Sequence, residues 1–222
     1  MEELDLLKNP FDGLSDYESI KKKCKEIAQE LFNNYGIKCD NTIFRFAEIE
    51  FYYYDKNSYL NDKSQFKWQK VTYPRDDYKG GQLFYHLSGI DICFRSQYKN
   101  KNEKVKFGGI LIRALKDKSG IIAGPLNCKD TILNACKNGV MPMLTDELEK
   151  QNIELAPTYR SLGKTGTDKE NDRLCFFDGS IEKGKWNPKR DRFVTETGRI
   201  EPKKGTYDTS KFDVKDALWT AN

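Results

Sequence analysis

Three long runs of aromatic and β-branched residues limit most strongly what this chain can fold into. They cover about residues 43–54, 82–95 and 105–115. Such residues are typical of strands that pack on a core, and the polar segment YKNKNEK between the last two runs suits a hairpin loop. A central Ser-Gly pair in the second run indicates a bulge or a bend. The runs therefore predict a mainly antiparallel sheet.

A helix is predicted before the strands, over residues 15–33. Ser15 and Glu18 form an S-x-x-E capping box at its start. Apolar residues then recur at helical spacing, at Ile20, Cys24, Ile27, Ala28 and Leu31. A second helix is expected at 129–138 and a short strand at 173–178. Helix, strands, helix and strands in this order are typical of an α+β fold.

Length and composition indicate one globular domain over residues 1–222, with 32% charged residues. No apolar run is long enough to span a bilayer, and the acidic N-terminus lacks the features of a signal peptide. We therefore expect a cytoplasmic chain without a membrane partner. The six cysteines include no CxxC pair, which argues against a zinc site or a redox motif, so neither a metal nor another cofactor is expected.

A basic C-terminal segment, 182–222, follows the strand-rich part of the chain, with its lysines and arginines concentrated in 182–204. The net charge of +4 is mild and permits an anionic partner without requiring one. A basic run usually forms a solvated face. The alternative is a nucleic-acid contact, for which the candidate side chains are Lys185, Lys189, Arg190 and Arg192.

Common catalytic and phosphate-binding motifs are missing from the sequence. The segment SLGKTGT at 161–167 resembles a phosphate loop, but Thr158 stands where its first glycine belongs. His86 is the only histidine, so a Ser-His-Asp triad could be built only around that residue. A lone histidine in an aromatic strand is more often a hydrogen-bonded core residue than a catalyst.

Charged residues inside the apolar runs are the main functional signal. Strand alternation puts Glu48, Glu50 and Tyr52 on one face and their neighbours Ile49, Phe51 and Tyr53 on the other. Arg113 lies within ILIRAL, where a buried charge is costly unless it is paired. Either a structural ion pair between Arg113 and a glutamate or a catalytic site explains this pattern.

Four segments, in order, resemble the alkyladenine (3-methylpurine) DNA glycosylase family. AEIEFYY resembles the strand that ends in Glu-x-Glu-x-Tyr, and LFYHLSGIDICF resembles an aromatic strand with a central glycine. GGILIRAL resembles the Leu-Arg-Ala-Leu segment, and IAGPLNCKDTILNAC resembles the Gly-Pro that opens a helix. The resemblance covers a core of about 42–177 and implies one domain with a curved antiparallel sheet and flanking helices.

The resemblance also implies roles for individual residues. Glu50 matches the catalytic acid, which acts as general base on the attacking water. Tyr52 matches an aromatic residue that stacks on the flipped base, and Tyr85 matches another wall of that pocket. Arg113 matches the arginine that lies near the active site.

The sequence departs from the family pattern at several positions. The loop after Asp55 lacks the family's substrate-contacting histidine. Ser88 stands where the family has a tyrosine that wedges into DNA and is therefore a candidate DNA-binding residue. Arg95 stands where the family has a base-screening asparagine, and an arginine in that pocket would favour an acceptor-rich or anionic group. His86 and Asp91 have no counterpart and are expected to be polar contacts with a different substrate.

The resemblance therefore implies a monofunctional, metal-free DNA glycosylase of base excision repair, acting as a monomer on duplex DNA. A single carboxylate can activate water and stabilise oxocarbenium-like charge during cleavage of an N-glycosidic bond, after the base is flipped into a pocket. Two alternatives stay open. One is a non-catalytic nucleic-acid-binding module on the same scaffold, and the other is an N-glycosidase that acts on RNA or a nucleotide.

Overall fold

The strand-like runs form an antiparallel sheet in the computed structural model of the chain. The structure describes residues 3–14, 16–55, 72, 77–100, 103–136, 139–160, 173–181, 193–194 and 200–201. Two α-helices lie among them, α1 (Tyr17–Asn34) and α2 (Pro125–Ala135), and a 3-10 turn covers Asp5–Leu7. The described strands are β1 (Gly36–Cys39), β2 (Thr42–Asp55), β3 (Leu83–His86), β4 (Gly89–Cys93), β5 (Gln97–Asn100), β6 (Glu103–Asp117), β7 (Gly120–Ala123), β8 (Met143–Thr145), β9 (Leu155–Arg160), β10 (Arg173–Asp178), β11 (Phe193–Val194) and β12 (Ile200–Glu201).

The two longest strands, β2 and β6, lie at the centre of the sheet. The order β3-β4-β6-β2-β1-β8 runs across it, with β5 and β7 also paired to β6. Strand β10 joins β2 beyond the end of β1 and carries β9 on its other side. The sheet curves into a half-barrel, and α1 and α2 complete a single α+β domain. The predicted fold class is thus confirmed.

The main apolar core fills one face of this sheet. Helix α1 buries Ile20, Cys24, Ile27, Ala28 and Leu31 there, as its spacing predicts. Ile49 and Phe51 of β2 point into the same core, so the alternation predicted for β2 is confirmed. The helix cap differs from the prediction, because Asp16 accepts the bond from the Ser19 N–H at 2.9 Å. Ser15, the predicted cap, lies outside the described residues.

The run 82–95 is a hairpin of two strands, where the sequence predicted a single strand-like run with a bulge or a bend at Ser-Gly. Strands β3 and β4 pair with His86 opposite Gly89, and Leu87 and Ser88 form the turn between them. The bend falls just before the glycine that signalled it. The segment YKNKNEK is likewise partly strand, because β5 extends to Asn100 and pairs with β6.

Helix α2 begins earlier than the predicted 129–138. Gly124 precedes it with a φ of 95°, a backbone conformation that glycine tolerates and other residues rarely adopt. Pro125 occupies the first helical turn, where its missing N–H leaves no hydrogen bond unmade. The helix ends at Ala135, three residues short of the predicted end.

Close packing fixes the junction of β2 and β6. A Cβ on Gly108 would lie 2.3 Å from the carbonyl oxygen of Tyr52 and 2.9 Å from the Cα of Tyr53. Glycine is therefore required at this position for the two backbones to approach. Further along the same pair, register shifts flank Glu48. A β-bulge of this kind re-aims side chains locally, and here it falls among the charged residues.

Candidate functional site

The sheet face opposite the main core carries a buried layer of charged groups. One row of directly opposed residues crosses four strands, from Asp91 in β4 through Leu111 in β6 and Glu50 in β2 to Cys175 in β10. Directly opposed residues share a face. Asp91 and Glu50 are at most 2% exposed, and two strand spacings put their backbones about 10 Å apart. Ionisable side chains are rarely this fully buried unless they are paired, so their burial needs an explanation.

Arg113 binds the two glutamates of β2. Its Nε donates to Oε1 of Glu48 at 3.1 Å, and its Nη1 donates to Oε2 of Glu50 at 2.8 Å. The three residues are between 0% and 4% exposed. The sequence left open an ion pair of Arg113 with a glutamate or a catalytic site, and the resemblance implied Glu50 as the catalytic acid. The structure brings all three together, and we name them the Glu48–Arg113–Glu50 cluster.

Charge holds the cluster together despite its burial. Burial alone would lower the pKa of Arg113, but the carboxylates of Glu48 and Glu50 outweigh it and raise that pKa above its ordinary value. The guanidinium is therefore permanently charged. Because it faces two carboxylates, the cluster carries one excess negative charge when both are ionised. A carboxylate fixed by a charged hydrogen bond is well placed to accept a proton from a bound water.

Tyr52 lies on the same face, one pleat beyond Glu50. It is 7% exposed and stands opposite Gly109 of β6, which in turn stands opposite Cys93 of β4. Since neither Gly109 nor Cys93 is bulky, this row leaves the Tyr52 ring as its largest side chain. The arrangement keeps Glu50 and Tyr52 neighbours, as alternation predicts.

The turn between β3 and β4 organises the single histidine. His86 Nε2 lies 3.2 Å from Oδ1 of Asp91, and the side chains are only 8% and 4% exposed. The backbone N–H of Ser88 points at the other ring nitrogen, Nδ1, at 3.3 Å, and the Ser88 hydroxyl lies at the same distance. Lys129 of α2 donates to the carbonyl oxygens of His86 and Leu87, each at 3.0 Å. The turn is thereby tied to α2.

Tyr85 lies on the other face of β3 from His86. It stands opposite Ile90 and packs against the main core. Burial, followed by the nearby thiols of Cys136 and Cys39, raises the pKa of its hydroxyl. Its ring lines an open pocket of about 410 Å³, with Asp77, Tyr78, Gln82, Leu83, Met141 and Pro142. The structure therefore does not bring Tyr85 together with Glu50.

Arg95 is engaged at the N-terminal segment. Its guanidinium pairs with Glu3, and its backbone N–H donates to the Leu7 carbonyl at 3.0 Å. In the part of the chain that the structure describes, its interactions are thus with this segment and not with the Glu48–Arg113–Glu50 cluster. This placement does not support a role for Arg95 in screening bases in a pocket.

The predicted DNA-contacting residues of the C-terminal segment, Lys185, Lys189, Arg190 and Arg192, lie outside the described residues, as does the loop after Asp55. Three residues of interest had not been singled out from the sequence. Leu87 is 80% exposed at the hairpin turn, Lys129 holds that turn, and Asp178, fully buried, pairs with Lys116. None of the three carried a usable sequence signal, and leucine in particular is not a typical turn residue.

Within the described residues, no group of three or more His, Cys, Asp and Glu side chains is arranged to hold a metal ion. The described helices include none with the length and apolar character needed to cross a membrane. No protein-family model, curated protein or solved structure matches this chain, so its function is inferred from its own residues.

Proposed function

We propose that this chain hydrolyses the N-glycosidic bond of a modified base in nucleic acid, with Glu50 as general base. The observation that carries the proposal is the Glu48–Arg113–Glu50 cluster, which holds Glu50 by a 2.8 Å bond beside Tyr52 on one buried face. The proposed substrate is a base flipped out of duplex DNA. The proposed enzyme acts as a monomer in the cytoplasm and needs no cofactor.

The cluster suits this chemistry. Arg113 keeps a positive charge next to Glu50 and so favours the ionised carboxylate that a general base requires. As the bond to the base breaks, positive charge develops on the sugar, and the excess negative charge of the cluster stabilises it. Glu50 then takes the proton of the attacking water. Tyr52 supplies an aromatic surface on the same face for the extruded base.

The full burial of Glu50 sets a condition on this mechanism. Glu50 is 0% exposed, so the substrate base must gain access to the buried face before water can attack. Exclusion of bulk water then strengthens the electrostatic interactions of the cluster.

The decisive experiment compares wild type with Glu50→Gln on a panel of oligonucleotides that carry single modified bases. Base release is read as free base by mass spectrometry, on duplex DNA, single-stranded DNA and RNA, with free modified nucleotides as a further arm. General-base catalysis contributes about 10²- to 10⁴-fold. We therefore expect wild type to release a base and Glu50→Gln to be at least about 100-fold slower.

Glu48→Gln is the matched control. It makes the same chemical change on the same arginine, one pleat earlier, and should retain far more activity than Glu50→Gln. Equal activity of Glu50→Gln and wild type would refute the role of Glu50. Equal losses in the two variants would show that the cluster acts as a unit and not through Glu50 as the base.

The second candidate function is a non-catalytic nucleic-acid-binding module on the same scaffold. The complete burial of Glu50 favours it, because a carboxylate buried against Arg113 already has a structural role in the ion-pair cluster. This candidate predicts that wild type and Glu50→Gln bind the oligonucleotides equally and release no base from any of them. Release confined to the RNA or nucleotide arm would instead identify an N-glycosidase with that substrate.

A further inference from the structure

The β3–β4 turn places a serine, a histidine and an aspartate in series. From this geometry we propose that Ser88 is an activated nucleophile for acyl transfer from esters, with His86 as its base and Asp91 as the residue that positions the imidazole. This activity is separate from the proposed glycosidase and does not depend on it. The unit spans His86 to Asp91 and includes the only histidine of the chain.

The hydrogen bonds fix the tautomer that such a unit needs. The Ser88 backbone N–H can only donate, so Nδ1 of His86 accepts it at 3.3 Å. The ring proton of the neutral imidazole then lies on Nε2 and points to Oδ1 of Asp91 at 3.2 Å. Stacking on Phe84, with ring centroids 5.7 Å apart and planes at 26°, holds the ring in place. The single lone pair of Nδ1 faces both the Ser88 N–H and the Ser88 hydroxyl, which also lies at 3.3 Å, and it acts as the base when the hydroxyl donates to it.

Two other turns show what is particular to this one. Ser119 donates from both its N–H and its hydroxyl to Asp117, and Ser180 does the same to Asp178. In those turns the acceptor is a carboxylate, which is a weak base near neutral pH. At Ser88 the acceptor is an imidazole, which is a stronger base and is backed by a carboxylate of its own. The turn geometry is therefore shared, but the chemistry differs.

The position of the turn suits attack on a substrate from solvent. Ser88 is exposed, and its neighbour Leu87 is 80% exposed and offers an apolar contact for an acyl chain. The ammonium group of Lys129 is held 3.0 Å from the carbonyl oxygens of His86 and Leu87, and a cation beside the turn favours the negative charge that develops during acyl transfer.

The reaction balances with water as the second substrate. Ser88 Oγ forms a bond to the carbonyl carbon of the ester while its proton passes to Nδ1 of His86. The C–O bond to the leaving group breaks, and the alkoxide takes that proton. Water repeats the sequence on the acyl-serine, so that one ester and one water yield a carboxylic acid and an alcohol.

A fluorophosphonate probe tests the nucleophile directly on the full, tag-free chain. The Ser88 oxygen would form a P–O bond as fluoride leaves, and peptide mapping would locate the label. We expect Ser88 to be labelled at least about 100-fold faster than Ser119. Ser88→Ala should abolish the fast labelling, and the matched variant Ser119→Ala should leave it unchanged. Labelling of Ser88 no faster than Ser119 would overturn the proposal.

The role of Asp91 has its own readout. Because His86 is the only histidine, ¹⁵N-histidine labelling gives a nitrogen spectrum of this ring alone, which reports the tautomer. Wild type should show a protonated Nε2 and an unprotonated Nδ1 in its neutral imidazole. A proton on Nδ1 would overturn the proposal, and this test needs only the wild-type chain. Asp91→Asn should mix the tautomers and slow labelling of Ser88 at least about tenfold. Slower labelling with an unchanged spectrum would refute the positioning role.

Discussion

Replacing Arg113 with methionine tests whether charge holds the buried face together. Arg113 is 4% exposed, and its guanidinium bonds Glu48 and Glu50 at 3.1 and 2.8 Å. Methionine keeps much of the side-chain length but removes the charge and the donors. Two carboxylates then remain buried without their cation, and removal of one partner of a buried ion pair costs about 3–5 kcal/mol. We expect a loss of unfolding free energy of this size.

The comparison with Glu50→Gln separates charge from packing. With both carboxylates ionised the cluster carries a net charge of −1, which Arg113→Met changes to −2 and Glu50→Gln changes to zero. The glutamine variant keeps the bond between Arg113 and Glu48, so it should lose only about 1–2 kcal/mol. Arg113→Lys keeps the charge but lacks the fork that reaches both carboxylates, so its loss should lie between the two.

Urea unfolding followed by circular dichroism measures all three variants. In Arg113→Met the loss of the guanidinium charge raises the pKa of the two carboxyls relative to wild type. A raised folded pKa means that stability is lost as pH rises. The deficit of this variant should therefore be larger at pH 7 than at pH 5. A loss under about 1 kcal/mol, or a larger loss for Glu50→Gln than for Arg113→Met, would refute a charge-stabilised cluster.

Three further predictions test the fold. Gly108→Ala should cost about 3 kcal/mol of unfolding free energy, measured with urea, because its Cβ would lie 2.3 Å from the Tyr52 carbonyl oxygen. The control Gly13→Ala has open space around it and a φ of 78°, so it should cost about 1 kcal/mol. Equal costs for the two variants would contradict the close approach of the backbones at Gly108. Tyr85→Phe should keep or raise the melting temperature, because the buried Tyr85 hydroxyl has no hydrogen-bond partner in the described structure; a clear drop would reveal one. The hydrogen bond from Ser19 lowers the pKa of Asp16, so the stability that the ionised Asp16 contributes is lost as pH falls below about 4. Asp16→Asn should not show this part of the acid-induced loss of stability. The same dependence of stability on pH in wild type and Asp16→Asn would count against the cap.

The long elements could be predicted because their patterns are long. Strand β2 and helix α1 match the predicted 43–54 and 15–33 to within two residues, since each carries several periods of its apolar repeat. The pairing of Arg113 with glutamate followed from the cost of a buried charge in ILIRAL. By contrast, β1, β7 and β8 are three or four residues long and show too little alternation to be recognised.

The site was harder to predict because it depends on register and turn position. The turn at Leu87 and Ser88 was missed since leucine is not a typical turn residue. Tyr85 was grouped with His86 although adjacent residues of a strand lie on opposite faces, a conflict that was visible in the sequence. The ion pair of Arg95 with Glu3 joins residues far apart in the chain, and no local pattern indicates such a contact.

The bulge between β2 and β6 bears on what the buried cluster is for. Ile49 stands opposite Ile112 and Glu50 opposite Leu111, so an unbroken ladder would put Arg113 opposite Glu48 and complete a simple ion pair. Instead Ala114 stands opposite Glu48, and the guanidinium reaches both glutamates. A simple ion pair needs neither the register shift nor the second carboxylate. Bulges are common beside active sites because they re-aim side chains, which supports a chemical role for Glu50.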